Sequence, residues 1–162
     1  MAHNLKDALL ELRSNSWNEE SWFLPLERAL EGVTAAQAAW QPPGGGNTVW
    51  QNLNHLNYFN ERSLAKMKGE AIGQPLDTNE ATFGAPGDKE DETGWQAAVQ
   101  KTRDIMNNFK DTINQFSDDD LQEWHFDLAD VMMHDAYHTG QIVLIRKMQG
   151  SWPAERPVDD MW

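Results

Sequence analysis

Apolar side chains recur along this chain at intervals of three, four and seven residues, the spacing that places them on one face of an α-helix. This pattern predicts four helices, at residues 5–33, 49–68, 93–116 and 128–149. The first is expected to be irregular at residues 15–25, because Pro25 cannot donate an interior helical hydrogen bond. No stretch of useful length alternates between apolar and polar residues, so the sequence predicts an all-α protein.

Polar stretches rich in glycine and proline separate the predicted helices. QPPGGGNT, residues 41–48, is expected to form a loop whose Asn47 or Thr48 caps the second helix. Residues 69–92, GEAIGQPLDTNEATFGAPGDKEDE, show little periodicity and are expected to form a long connection between the second and third helices. Four helices with one such connection indicate a four-helix bundle, and the chain length indicates a single domain over residues 1–162.

Acidic residues outnumber basic ones: 26 Asp and Glu against 13 Lys and Arg give a formal net charge of −13. Such a charge opposes binding to nucleic acid or to an anionic membrane surface. No apolar run approaches the length of a membrane span, and the opening MAHNLKDALL lacks the features of a secretory signal. A soluble, cytoplasmic protein is therefore expected. The chain has no cysteine, so any thiol chemistry would need a thiol from outside.

The segment HDAYHTGQI carries the first sign of a chemical site. His134 and His138 are four residues apart, so on a helix their imidazoles lie on one face and can converge on one ion. The residues expected on the same face are Val131, Tyr137, Gln141, Ile142 and Ile145. The residues expected on the other side of the helix are Asp135, Thr139, Arg146 and Lys147. The competing interpretation is two core histidines, each satisfied by a hydrogen bond.

Two further features favour a metal site. Gly140 lies mid-helix, at a cost of about 1 kcal/mol relative to alanine, which indicates that another group packs closely there. His55 lies near the middle of the second predicted helix and can supply a third imidazole, with His125 in the connection before the fourth helix as the reserve candidate. Three imidazoles on zinc or a similar divalent ion leave a fourth position for water or substrate.

Four other residues are candidates for a pocket around the ion. Trp50, just over one turn before His55, could wall the pocket. Arg62, two turns after His55, could hold an anionic substrate or could pair with an acidic residue. Tyr137 could donate a hydrogen bond to a ligand or could fill core space, and Gln141 could orient a ligand histidine through a hydrogen bond.

With NLNHL on the second helix and HDAYHTGQI on the last, the chain resembles the DinB-like family of damage-inducible proteins. The family's terminal H-x-x-x-H-x-G-Q-I is matched by the residues from His134 to Ile142, and its earlier histidine by His55 in NTVWQNLNHL. The resemblance covers nearly the whole chain in helix order and spacing. It implies a four-helix bundle in which His55, His134 and His138 bind a divalent metal ion, for which zinc and nickel are both suitable.

The resemblance also implies a function. Characterised members of the wider superfamily are thiol transferases and isomerases that use a low-molecular-weight thiol such as bacillithiol or mycothiol. A metal-dependent S-transferase acting on small electrophiles is therefore expected. A metal-dependent hydrolase at the same site and a non-catalytic, stress-induced metal-binding or scaffold bundle remain as alternatives. The resemblance makes a homodimer formed through helix faces a further expectation.

Overall fold

The computed structural model describes residues 4–153, in which there are helices and no strand. Its α-helices are α1 (Leu5–Trp17), α2 (Leu26–Leu30), α3 (Ala35–Ala38), α4 (Val49–Met67), α5 (Glu92–Gln115) and α6 (Asp118–Met148), and a short 3-10 helix covers Glu80–Phe83. The all-α prediction is confirmed. None of these helices, all within the described residues, combines the length and the apolar character that crossing a bilayer requires.

The single helix predicted over residues 5–33 is divided into two helices, and the break falls within residues 15–25, where an irregularity was predicted. α1 ends at Trp17, where the carbonyl of Ser14 accepts hydrogen bonds from the backbone N–H groups of both Asn18 and Glu19. Pro25 then caps the separate helix α2 instead of bending a continuous one, since a proline at a helix start removes no interior hydrogen bond. The apolar residues of α2 and α3 are still buried, so this segment contributes to the core.

Side-chain caps set where the long helices begin. Thr48 and Gln51 form a capping box at the start of α4, so the predicted start of the second helix is confirmed. Ser117 and Asp120 form another, which begins α6 directly after Ser117 and well before the predicted residue 128. The segment EWHFD, predicted to be a connection, is therefore part of the helix. The predicted boundary was wrong because the polar residues there are the first turns of α6 and not a loop.

α6 is the central helix of the bundle and packs against α1, α2 and α4. A helix with neighbours on several sides buries most of its circumference, so polar side chains there need partners. The prediction that Asp135, Thr139 and Arg146 lie away from the core is wrong, because all three are buried. Lys147, predicted with them, is exposed.

A buried ion pair joins α1 to α6. Arg13 contacts the carboxylate of Asp135, and the side-chain amide of Asn60 on α4 donates to Oδ1 of the same carboxylate at 2.7 Å. Arg13 is 3% exposed and Asp135 0%. A buried charge left without its partner costs several kcal/mol. This contact therefore fixes the rotation of α6 relative to α1 and α4, and with it the direction in which the neighbouring His134 points.

The connection between α4 and α5 folds back along α4. Its backbone is held by hydrogen bonds to the side chains of Thr48, Gln51, Asn54, Tyr58 and Arg62. These contacts place the 3-10 helix against the middle of α4. Gly87 allows the chain to leave α4 again: its φ is +93°, and a Cβ at this position would overlap the ring of Trp50.

Candidate metal centre

Three histidines from two helices meet at one point of the bundle. His55 comes from the middle of α4, and His134 and His138 lie on successive turns of α6. One nitrogen of each ring lies within 4.8 Å of the others, and His55 Nε2 is 3.1 Å from His134 Nε2. Two nitrogens bound tetrahedrally to zinc at about 2.1 Å lie about 3.4 Å apart. The spacing of the rings therefore fits a shared ion.

The 3-10 helix fixes the proton of His55. Its Nδ1 lies 2.6 Å from Oγ1 of Thr82, and the Thr82 hydroxyl donates its own proton to the carbonyl oxygen of Asn79. Oγ1 therefore accepts from the ring, which assigns the ring proton to Nδ1. Nε2 is therefore unprotonated, and its lone pair faces the other two histidines. A histidine must be in this protonation state to bind a metal ion through Nε2.

His138 is oriented in the same way by α4. Its Nδ1 lies 2.9 Å from Oδ1 of Asn52, and the amide nitrogen of Asn52 donates to the carbonyl oxygen of Thr48. The amide oxygen is thus the acceptor and Nδ1 of His138 the donor. Metal-binding histidines typically donate their second ring N–H to such an acceptor, which fixes the ring and its tautomer. The donor set and its orientation fit a divalent ion.

Burial keeps the three imidazoles neutral. Desolvation, followed by the charges of His138 and His134, lowers the pKa of His55 from 6.5 to about 4. Desolvation and then His134 lower the pKa of His138 to about 4, against opposing effects of Gln141 and Asp135. Burial also lowers the pKa of His134, and Asp135 opposes that shift. At neutral pH the rings therefore present lone pairs and no repelling charge to a cation.

A cavity of about 510 Å³ opens onto the histidines, within the range of about 300–1,000 Å³ that is usual for small-molecule sites. Its other walls are Asn47, Asn79, Glu80, Phe83, Tyr137 and Gln141. Phe83 stacks on the ring of His55 with the centroids 4.0 Å apart. Of the described residues that line the cavity, none is a lysine or arginine, and Glu80 is the one carboxylate. A small molecule could therefore reach an ion held by the histidines.

Comparison with protein families gives a match over most of the chain. The family model of the DinB superfamily matches residues 25–142, a range that includes His55, His134 and His138. The chain belongs to the DinB superfamily. No curated protein and no solved structure matches it significantly. The family resemblance stated from the sequence is confirmed. The three histidines that the resemblance implies as metal ligands lie close together in the structure of this DinB superfamily member.

Two of the other residues named from the sequence line the cavity of this DinB superfamily protein. Tyr137 is 66% exposed and its ring lies edge-on to that of His138, with the centroids 5.0 Å apart, so it does not fill core space. Gln141 lines the same cavity, and its side chain raises the pKa of His138, against the lowering caused by burial. Both side chains can therefore contact a ligand at the histidines.

Trp50 and Arg62 lie elsewhere. Trp50 packs on Trp95 with the ring centroids 5.4 Å apart and is not among the residues that line the cavity. Arg62 donates to the carbonyl oxygen of Gly73 and lies over the ring of Tyr58. Its contacts within residues 4–153 are thus with the backbone and an aromatic ring, whereas the sequence suggested an anionic ligand or an acidic partner.

His125 and Gly140 also differ from expectation. His125 lies on α6, where its Nδ1 is within hydrogen-bond distance of the carbonyl oxygens of Leu121 and Gln122, and it is not part of the cluster. A Cβ built on Gly140 would meet no atom within 4 Å. The expectation that another part of this chain packs closely on Gly140 is therefore wrong for the described residues.

The residues that sequence reasoning missed are those that orient and enclose the histidines. Asn52 lies three residues before His55 on the same helix, and a polar residue at that spacing was an available signal. Thr82, Phe83 and Glu80 lie in the long connection, which has no periodicity. Their position depends on the hydrogen bonds that fold this connection onto α4, and a single sequence does not reveal those bonds.

Proposed function

We propose that this chain is a metal-dependent thiol transferase, in which His55, His134 and His138 bind one zinc or nickel ion and a low-molecular-weight thiol is transferred to a small electrophile. The observation that carries the proposal is the orientation of two rings, whose Nδ1 protons are directed at Thr82 and Asn52 and whose lone pairs face the cluster. A bound divalent ion supplies the Lewis acidity that holds an added thiol as its thiolate at neutral pH.

The side chains of the cavity supply the remaining functions. Glu80 accepts the proton that the thiol loses when it binds. The amides of Asn47, Asn79 and Gln141 hold the polar groups of the thiol and of the electrophile. Because no lysine or arginine is found among the described residues of the lining, these neutral hydrogen bonds, and not ion pairs, position the co-substrate.

The transfer itself is a substitution that needs neither oxidant nor reductant. The thiol sulfur forms a bond to the electrophilic carbon while the bond from that carbon to its leaving group breaks, and the leaving group departs with the electron pair. Tyr137, which stands exposed beside His138, donates a hydrogen bond from its phenol to the departing group. Replacing Tyr137 with phenylalanine should therefore slow turnover without changing the metal content of the protein.

Glu80 also favours a second candidate function, metal-dependent hydrolysis. A carboxylate that lines this cavity can accept a proton from a water molecule activated by a bound metal ion, as well as from a thiol. The absence of cysteine from the chain is consistent with both reactions. The two functions differ in one requirement, since an ester or amide would be cleaved without added thiol.

One comparison separates the candidates. Protein loaded with zinc or nickel is incubated with an activated aryl halide and with nitrophenyl esters, each with and without bacillithiol or mycothiol. Thioether product that requires both thiol and metal, is lost in His134→Ala and falls in Glu80→Gln at unchanged metal content supports the transferase. Ester cleavage without added thiol would instead support the hydrolase and count against the transferase. Metal binding with neither reaction, and a stability loss on metal removal, would favour the non-catalytic bundle.

A further inference from the structure

The short 3-10 helix brings a carboxylate to the cavity of the three histidines. It covers Glu80–Phe83, and side chains three residues apart in a 3-10 helix lie on the same face. Glu80 therefore shares a face with Phe83, whose ring stacks on that of His55 with the centroids 4.0 Å apart. One turn of such a helix rises about 6 Å. A small molecule in the cavity, which both Glu80 and the histidines line, can therefore reach from one to the other.

The charge of Glu80 is not compensated within residues 4–153. None of the ion pairs formed among these residues includes its carboxylate. The two cationic residues closest to it in the sequence are engaged elsewhere. Lys89 pairs with Glu90. Lys68 pairs with Glu70 at 2.6 Å. Glu80 therefore presents a free negative charge to a molecule that enters the cavity.

The surroundings of Glu80 also suit a cation. The ring of Tyr137 lines the same cavity and is 66% exposed, and the face of an aromatic ring attracts an ammonium group. The side-chain oxygens of Asn47 and Asn79, in the same lining, can accept hydrogen bonds from its N–H groups. The net charge of −13 adds a long-range attraction for cations. Charge and hydrogen-bonding capacity at this end of the cavity therefore favour the same kind of ligand.

We propose that Glu80 binds a cationic group of the electrophile, so that the cavity selects an ammonium-bearing substrate over one that carries a carboxylate. This inference rests on the proposed function, in which the electrophile and the thiol share the cavity. The thiol is held by neutral hydrogen bonds, and the ion pair with Glu80 orients the electrophile. Since Glu80 is exposed, a proton that it accepts from the thiol passes on to water. The carboxylate is then charged again when the electrophile binds.

The size of the expected preference follows from the exposure of Glu80. An exposed ion pair changes affinity by about twofold to fivefold, and repulsion of a like charge has a similar size. Ligands that differ only in carrying an ammonium or a carboxylate should therefore differ by about fivefold to twentyfold in dissociation constant. Salt screens charges at an exposed position. The preference should therefore decrease as the ionic strength rises.

Binding is tested without thiol or turnover. Benzohydroxamic acids, which chelate metal ions, are made with a para aminomethyl, hydroxymethyl or carboxymethyl group and are titrated by calorimetry into the full-length, metal-loaded protein. The aminomethyl compound is expected to bind most tightly and the carboxymethyl compound least tightly. Glu80→Gln should bring the three affinities close together, and Glu80→Lys should reverse their order. Asp77→Asn changes the net charge equally, at an exposed position on the same connection and outside the cavity lining. This control should keep the wild-type order.

Turnover gives a second readout, with activated aryl halides that carry the same three groups. If Glu80 were only a proton acceptor, Glu80→Gln would lower kcat/KM for all three halides by one factor. A cation site predicts instead that kcat/KM falls most for the aminomethyl halide.

The two readouts separate the possible failures. Equal affinities for the three hydroxamic acids, no binding of any of them, or an order that Glu80→Gln leaves unchanged would each overturn the cation site. An order that depends on Glu80, found without thiol-dependent turnover, would support the cation site and contradict the transferase. Turnover that shows no preference among the halides would overturn the cation site and leave the transferase in place.

Discussion

The Thr82→Val variant tests what orients the His55 ring. Valine keeps the shape of threonine but removes Oγ1, which accepts the Nδ1 proton at 2.6 Å. The ring then loses the contact that leaves its Nε2 lone pair free for a metal ion. Loss of such a partner typically lowers metal affinity about 10–100-fold, or about 1.4–2.7 kcal/mol. Zinc affinity measured by chelator competition is expected to fall within that range.

Stability is expected to fall as well, and a control separates the two effects. Thr82 is 6% and His55 3% exposed, so an unpaired Nδ1–H there should cost about 1–3 kcal/mol in the free energy of unfolding. Thr102→Val removes another buried hydroxyl, which donates to Asn57 on the other side of α4. It should cost similar stability at unchanged zinc affinity. Equal zinc affinity in Thr82→Val and the wild type would refute the assignment of the ring proton.

Other predictions concern the surroundings of the site. Asp135→Asn leaves the buried Arg13 without its carboxylate, so the free energy of unfolding measured in urea should fall by about 3–5 kcal/mol. Arg13→Met/Asp135→Leu, which removes both charges, should lower it less. An unaltered free energy of unfolding in Asp135→Asn would contradict this expectation. Gly87 has a φ of +93° and lies against the indole ring of Trp50. Gly87→Ala should therefore lower the free energy of unfolding by about 1–3 kcal/mol in the same assay. A stabilised variant would show that the native backbone at residue 87 does not adopt this conformation. Folding lowers the pKa of His55 and His138 from 6.5 to about 4, so the unfolded chain binds more protons between these values. The urea midpoint of chelator-treated protein should therefore fall as the pH drops from 6.5 towards 4, and a midpoint that rises would contradict the shifts.

Helix periodicity and caps account for what the sequence predicted well. The start of α4 follows from Thr48 and Gln51 after a glycine-rich loop, and these signals are local. His134 and His138 are four residues apart, and this spacing places both on the same face of any α-helix. Their proximity could therefore be predicted without knowledge of the tertiary structure. His55 was found because it lies near the middle of the second predicted helix and because the resemblance to the DinB-like family implies a histidine there.

The errors at Asp135 and Thr82 share one physical cause, which is contact between distant parts of the chain. Asp135 was placed on the side of the helix away from the histidines because one residue turns a helix by about 100°. That side packs against α1, where Arg13 pairs with the carboxylate in the core. Thr82 was not singled out because its segment has no regular pattern, and only hydrogen bonds to α4 bring it to His55. Gly140 was expected to mark close packing, but the described residues leave the space beside it open.

The three-histidine metal centre is tested most directly by elemental analysis of protein purified without chelator and then loaded with zinc or nickel. The wild type is expected to hold about one ion per chain, and His55→Ala, His134→Ala and His138→Ala are each expected to lose it almost completely. His125→Ala, which alters a histidine of α6 outside the cluster, should retain the ion. A wild type that binds no metal, or three cluster variants that keep it while remaining folded, would contradict the three-histidine metal centre.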